Sequence, residues 1–379
     1  MKSSVAVVAC ADYQYENVRA AVRRGMALLG GIDRFARAGE NILLKPNLLA
    51  GDEPQKAVTT HPAVFRAVIE AFQEKGARLS FGDSPGFGSL RHVAARAGLV
   101  PIAQEYGVKQ ADFQTAAQIS FPEALIARQL ELARSALETD GIVNLPKMKT
   151  HGLLRITGAI KNLLGCVPGL RKSEFHLKMP KISHFAAMLV DLARALKPRL
   201  HIMDGLVAMD GNGPRAGALQ PMKTLLLSED PVALDTVFCR LIALPPSYVP
   251  TLESGRQSGL GTCREDEIEL LGDPLRNLAR SDFEVVRRPA DDAAGSFPVF
   301  LKNWVSPRPV IDYERCVNCG TCVQICPTSP KALARSPEIV QGKPFYDYLQ
   351  CIRCYCCQET CPHSAIRIHT PPLGRLIHR

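Results

Sequence analysis

Cys316-Val317-Asn318-Cys319-Gly320-Thr321-Cys322-Val323-Gln324-Ile325-Cys326-Pro327 is answered later in the chain by Cys351-Ile352-Arg353-Cys354-Tyr355-Cys356-Cys357-Gln358-Glu359-Thr360-Cys361-Pro362. In each run four cysteines are separated by two, two and three residues and closed by a proline. Two intervening residues let the chain curl so that thiolates converge on one metal centre with backbone N–H groups facing the sulfurs. The proline turns the chain away after the last ligand. Four-cysteine zinc sites use similar two-residue spacings, and an extracellular scaffold would pair the thiols as disulfides. Neither explains a three-residue gap and a proline occurring twice in the same order, so the spacing predicts two 4Fe-4S clusters. Cys356, wedged between Cys354 and Cys357, is a surplus thiol.

The paired runs resemble those of bacterial two-cluster ferredoxins. The resemblance implies that the fourth cysteine of each run crosses to the other cluster. Cluster 1 would then take Cys316, Cys319, Cys322 and Cys361, and cluster 2 would take Cys326, Cys351, Cys354 and Cys357. It also implies an electron-donor or electron-acceptor protein as partner.

At 379 residues the chain is too long for a ferredoxin alone and has room for two or three domains. With 46% hydrophobic and 22% charged residues it reads as an ordinary soluble globular protein. No apolar stretch is long enough to cross a bilayer, and the run Met1 to Cys10 is too brief for a signal peptide. A reducing, cytoplasmic location suits thiolate ligands and five further cysteines. The formal charge of +9 falls to roughly +5 once two oxidised cubanes, each about −2 with its thiolates, are counted. Without a nucleic-acid motif or a basic, aromatic-interleaved tract, that excess points to an anionic small molecule or an acidic partner. A homodimer is the common expectation for such a chain.

Residues 1–290 alternate short apolar runs with helical patterns, which predicts a large open-sheet α/β domain. Strands are expected at Ser4 to Ala9, Glu40 to Leu44, Arg78 to Phe81, Gly141 to Leu145, Leu200 to Met203 and Met222 to Ser228. Helices are expected at Asn17 to Leu29, Pro62 to Lys75, Ile182 to Leu196 and Pro231 to Leu244, with a strand and a helix between Ser120 and Glu138. Residues 291–309 resemble a linker that Phe297, Val299, Phe300 and Trp304 could pack against a neighbour. The small two-cluster module occupies 310–369, and 370–379 is a basic tail.

In open α/β sheets, ligands sit beyond the carboxyl ends of the strands. Lys45 and Asn47 follow one expected strand. Asn144-Leu145-Pro146-Lys147-Met148-Lys149-Thr150-His151 would carry Lys147, Lys149, Thr150 and His151 to the same edge in a loop, with Lys161 and Asn162 behind. These cations and amides suit a phosphate or carboxylate. His151, Asp83 in the loop from Gly82 to Gly88, and Asp204, placed directly after a strand, are the expected proton-handling groups. Asp83 and Asp204 could equally cap helices or stabilise turns. The glycine-rich loop Asp210 to Gly217 offers backbone N–H groups to an anion. Lys172 to His184 reads as a lid.

Lys45-Pro46-Asn47-Leu48-Leu49, Thr59-Thr60-His61-Pro62, Gly82-Asp83-Ser84-Pro85-Gly86, Lys147-Met148-Lys149-Thr150-His151 and Lys161-Asn162-Leu163-Leu164-Gly165 together resemble domain of unknown function 362, over about residues 40–240. The resemblance implies an α/β domain often joined to an iron-sulfur module and favours the lysine, asparagine and histidine loops as its ligand site, without supplying a reaction. The expectation is an oxidoreductase that passes low-potential electrons to a substrate, or to an additional organic cofactor, held by the α/β domain. An electron-transfer adaptor and a non-redox enzyme with regulatory clusters are the alternatives.

Overall fold

A computed structural model describes residues 2–169, 171–290, 299–336 and 339–377. Among the described residues thirteen strands precede the cluster module: β1 (Ser3–Ala9), β2 (Asn41–Pro46), β3 (Arg78–Phe81), β4 (Lys109–Gln110), β5 (Ala116–Ser120), β6 (Gln129–Ala133), β7 (Gly141–Leu145), β8 (Lys147–His151), β9 (Arg155–Thr157), β10 (Leu200–Asp210), β11 (Ala218–Gln220), β12 (Thr224–Ser228) and β13 (Ile268–Gly272). Eleven of them form one mixed sheet whose main path runs β13, β1, β12, β10, β7, β2, β3, β4. β10, β7, β2, β3 and β4 are parallel neighbours, so their carboxyl ends share an edge. β12 runs antiparallel to both β10 and β1. β5 and β6 form a separate hairpin followed by a single helical turn, Arg134–Leu137.

Burial explains why these segments are strands. β7 and β12 are buried at every position, as expected where helices cover both faces of a sheet. Helix Tyr15–Leu28 buries Val18, Ala21, Val22, Gly25 and Met26, one stripe at helical spacing. Helix Pro62–Glu74 starts on a proline at its first turn, and His61 Nδ1 accepts the Ala63 N–H at 3.2 Å.

Two expectations about the sheet need correction. Lys147 to His151 is a fully buried strand, not a loop. Pro146 cannot donate to the ladder, so the chain breaks after β7 and resumes as β8, still alongside β10. β9 then folds back on β8. Likewise, β10 does not stop at Met203 but continues to Asp210, which places Asp204 inside the sheet. Of the residues expected to pack the linker, Trp304 is 64% exposed on helix Val299–Val305. Phe297 and the side chains of Val299 and Phe300 lie outside the described residues.

The cluster module pairs β14 (Arg308–Ile311) with β17 (Ile366–His369), and β15 (Leu333–Ser336) with β16 (Ile339–Tyr346). Its short helices Thr321–Ile325 and Cys356–Thr360 pack on each other. The repeat seen in the cysteine spacing is also conformational. Asn318 and Arg353, each two residues past a first cysteine, have φ of 58° and 64°, and Gly320 and Tyr355, each four past it, have 81° and 63°. A left-handed backbone at both positions lets the chain wrap a centre, and only the first half meets it once with glycine.

Candidate functional site

A cavity of about 100 Å³ lies where the carboxyl edge of the sheet meets the cluster module. Asn47, Asp83, Lys149, Lys161, Asn162 and Lys172 line it from the α/β side, and Ile325, Cys356, Glu359 and Thr360 from the cluster side. Each cluster-side residue lies one or two positions from a cysteine of the paired runs.

The side chains of this cavity are held by a dense buried network. Lys149, 1% exposed, donates to Asn47 Oδ1 at 2.6 Å and to the Val58 carbonyl at 2.7 Å. Burial, with Lys161 and Lys147 nearby, lowers its pKa to about 7. Asn162 Nδ2 donates to the Lys45 carbonyl and to Asn144 Oδ1, locking its amide between β2 and β7. Lys45 Nζ is 3.1 Å from Asp83 Oδ1, while Asp83 Oδ2 accepts the Leu48 N–H at 2.7 Å. A glycine is required at 165, because a Cβ there would stand 1.8 Å from Asp83 Oδ1 and 2.8 Å from Lys45 Nζ. Gly165→Ala is therefore expected to push this pair apart and to lower stability by about 1–3 kcal/mol, read as a fall in the thermal midpoint of the cluster-loaded protein.

Other expected site residues have different positions. Lys147 Nζ contacts Asp204 Oδ2 at 2.8 Å and Tyr13 Oη at 2.7 Å. Tyr13 Oη donates to Asp204 Oδ1 at 2.8 Å, and the His61 N–H reaches Asp204 Oδ2 at 3.0 Å. The Tyr13 and His61 rings stack over this group at 3.5 Å. Burial alone would raise the Asp204 pKa, but Lys147 outweighs it and holds the carboxyl below its ordinary range. Lys147 and Asp204 thus form a buried ion pair outside the cavity lining. Thr150 is also engaged: its Oγ1 donates to the Gly211 carbonyl and accepts the Gly213 N–H, each at 3.2 Å.

His151 Nδ1 accepts the N–H groups of Leu153 and Leu154, each at 3.1 Å, which leaves its proton on Nε2, 2.8 Å from Glu359 Oε1. Burial, then Lys161, lowers the His151 pKa. Glu359 is held ionised, since Lys161 and His151 outweigh the effect of its burial. His151 and Glu359 are thus held against each other.

The loop Asp210 to Gly217, expected to cradle an anion, instead latches the cluster module. Gln358 Nε2 donates to the Asn212 and Gly213 carbonyls at 2.9 and 3.1 Å, and Asn212 Nδ2 to the Ile366 carbonyl at 3.0 Å. Arg215 binds Asp52 Oδ2 at 2.7 Å and the Thr360 carbonyl at 2.5 Å. His176, in the stretch read as a lid, is buried against Phe185 and lines the cavity, and burial drops its pKa to about 4.

In the cluster module, Cys316, Cys319, Cys322 and Cys361 line one small cavity. Cys354 and Cys326 are charge neighbours of Cys351, and Cys354, Cys351 and, from the first grouping, Cys322 of Cys357. Both groupings draw their fourth thiol from the other run. This donor set fits two cubanes, and no trio of His, Cys, Asp or Glu among the described residues is assembled around a single ion. Cys356 is buried and lines the lysine cavity. Glu359, Gln358 and Arg215 carry no motif of their own; a carboxylate between two ligand cysteines was the one available signal.

The model of "Domain of unknown function (DUF362)" matches residues 42–240, more than half of the chain. The chain belongs to the DUF362 family. In this DUF362 protein residues 308–362 match the 4Fe-4S dicluster domain, so its cofactors are two 4Fe-4S clusters and it is an iron-sulfur redox protein. It is 36% identical over 261 residues to the thylakoid-associated protein sll1697 of Synechocystis, covering 69% of this chain and 81% of that one. Among solved structures it is similar to the lactate racemase apoprotein of Thermoanaerobacterium thermosaccharolyticum, with 13% identity and a TM-score of 0.41 over 64% of this chain. A Thermotoga maritima protein matches at 12% identity and a TM-score of 0.34 over 65% of this chain. The chain spans 57% and 59% of those two structures, and likeness at this level says nothing about its chemistry. Among the described residues no helix is long and apolar enough to cross a membrane.

Proposed function

We propose that this DUF362 protein is an oxidoreductase that passes electrons through its two clusters to a small anionic substrate in the cavity lined by Lys149, Lys161 and Asn162. The observation that carries this reading is the cavity's composite wall: lysines and amides face residues that sit between the cluster ligands in sequence. Bound clusters supply one electron at a time. Lys149 spends two of its three donors on Asn47 and Val58 and keeps one for an anion. Glu359 balances Lys161 at 3.8 Å, so the pair holds its place until an anion arrives. Asp83, paired with Lys45, is the carboxylate of this cavity best placed to exchange a proton with a bound molecule. A volume of about 100 Å³ admits the charged head of a substrate, given about 30 Å³ per water in the liquid.

Because the Lys149 pKa is near 7, its charge is present below that pH and lost above it. Lys161 and Lys147 oppose the charge, while Glu359 and Asp83 favour it. Burial also lowers the pKa of Lys172, in the same lining, to about 7, so anion affinity at the cavity is expected to fall as pH rises from about 6 to about 9, with Lys149→Met and Lys172→Met each removing part of that slope. Calorimetric titration with inorganic phosphate and acetate measures it. A flat profile in the unaltered protein counts against the assignment of Lys149.

The adaptor reading keeps one specific support: the simple ligand assignment commits all eight cysteines of the runs, leaving no open iron for a substrate. The thylakoid association in the name of the Synechocystis relative suits a chain that docks on a larger redox assembly. Anaerobic purification followed by mass spectrometry of released small molecules separates the two readings. An organic anion displaced by Lys149→Met supports the enzyme, and release of nothing organic, with no anion binding, supports the adaptor.

A further inference from the structure

We propose a second ligand site, for an organic phosphate with a ring-shaped apolar body, in a cleft of about 920 Å³ on the other side of His151 from the lysine cavity. The cleft lies between the end of β8, the segment Glu284 to Pro289, and the residues around Cys351 and Arg367 in the cluster module. His151 lines it, while its partner Glu359 lines the first cavity, so one buried pair stands between the two sites.

Charge argues for the phosphate. Arg155, Lys181, Arg288, Lys302, Arg353 and Arg367 line the cleft, and Glu284 is the sole carboxylate among its described lining residues. Cys351 is there too, and the second cluster with its thiolates carries about −2, which Lys181, Lys302, Arg353 and Arg367 still exceed. A neighbouring hollow lined by Arg287, Arg288, His369 and Arg375 extends the positive tract. Arg353 supplies an independent observation. It is 6% exposed and donates through Nη2 to Asn303 Oδ1, but its Nε and Nη1 are buried with no hydrogen-bond partner. Ser306 Oγ, in the same lining, is buried and unpartnered as well. Leaving such donors unsatisfied is costly, and a guanidinium fork matches phosphate oxygens better than any neutral acceptor.

The rest of the cleft suits a ring. Leu153, Val286, Ile352, Tyr355 and Ile368 give it an apolar wall, and its volume falls in the range of about 300–1,000 Å³ usual for cofactor sites. Cys351 in that wall places a bound ring beside the second cluster.

The test uses the full, anaerobically purified, cluster-loaded chain. Calorimetric titration compares FMN and ADP, which carry phosphate, with riboflavin and adenosine, which do not. Saturable binding of FMN or ADP is expected, at least about ten-fold tighter than of its unphosphorylated counterpart. Lys302→Gln and Arg367→Gln are each expected to weaken it by about ten-fold while visible absorption shows both clusters retained. Lys172→Ala, in the first cavity, should leave it unchanged. Three results overturn the proposal: no saturable binding of either phosphate probe, equal binding of the matched pairs, or weakening by Lys172→Ala with the other two variants silent. None depends on turnover at the lysine cavity, so failure here is distinguishable from failure of the oxidoreductase reading.

Discussion

Lys147→Met is expected to destabilise the α/β domain by about 3–5 kcal/mol, because it strands a buried carboxylate whose cation has been removed. Lys147 is 1% exposed and Asp204 is fully buried, so water cannot take the place of the missing ammonium. The loss spreads beyond the pair. Tyr13 Oη accepts from Lys147 Nζ and the Val207 N–H while donating to Asp204, and the carboxylate also receives the N–H that opens helix Pro62–Glu74. At roughly 2–4 °C per kcal/mol for a domain of this size, the midpoint of thermal unfolding should drop by about 6–20 °C. Lys147→Met/Asp204→Asn should recover part of that drop, since the amide oxygen can still accept the His61 N–H while its NH2 donates to Tyr13 Oη, with no unpaired charge. Circular dichroism melts of the cluster-loaded proteins decide the matter. A single variant within a degree of the parent would mean that Asp204 is protonated in the fold, against the ordering derived above.

The second large effect concerns the crossed ligands. Cys361→Ala should lose the cluster that Cys316, Cys319 and Cys322 help to hold, although Cys361 belongs to the later run. Cys326→Ala should lose the other. Iron and acid-labile sulfide per chain should fall by about half in each single variant. Pairs of substitutions discriminate more sharply. Cys361→Ala/Cys316→Ala should still keep one cluster, because both thiols serve the same centre, whereas Cys361→Ala/Cys351→Ala should lose both. If each run held its own cluster, the two double variants would exchange outcomes. The shared cavity of Cys316, Cys319, Cys322 and Cys361 supports the crossed arrangement.

The expected strands that proved accurate are those whose fate is set locally. Arg78 to Phe81 and Gly141 to Leu145 are short apolar segments bounded by turn residues, and they form β3 and β7 at those limits. Lys147 to His151 was illegible for the opposite reason. Two lysines, a threonine and a histidine after a proline have the composition of a solvated loop. They become a strand because Asp204, Asn47, Val58, Gly211, Gly213 and Glu359, all distant in sequence, stand against its buried polar side chains. The same limit applies to Asp204, whose placement after Leu200-His201-Ile202-Met203 looks like a strand end until β12 extends the ladder past it. The loop Asp210 to Gly217 advertises free backbone N–H groups, but its asparagine and arginine are read only against Gln358 and Thr360 of the other module.

Sequence alone determined the two clusters and the presence of a large α/β domain, because thiol spacing and apolar periodicity are local properties of the chain. Tertiary structure decided how the buried lysines are partnered. Lys45, Lys147 and Lys149 are alike in sequence context, and each is almost completely buried. Lys147 is neutralised by Asp204 inside the sheet, Lys45 is paired with Asp83, and Lys149 faces an open cavity with a donor to spare. The difference lies in the partner that the fold brings within about 3 Å of each ammonium, and a buried charge takes its role from that partner.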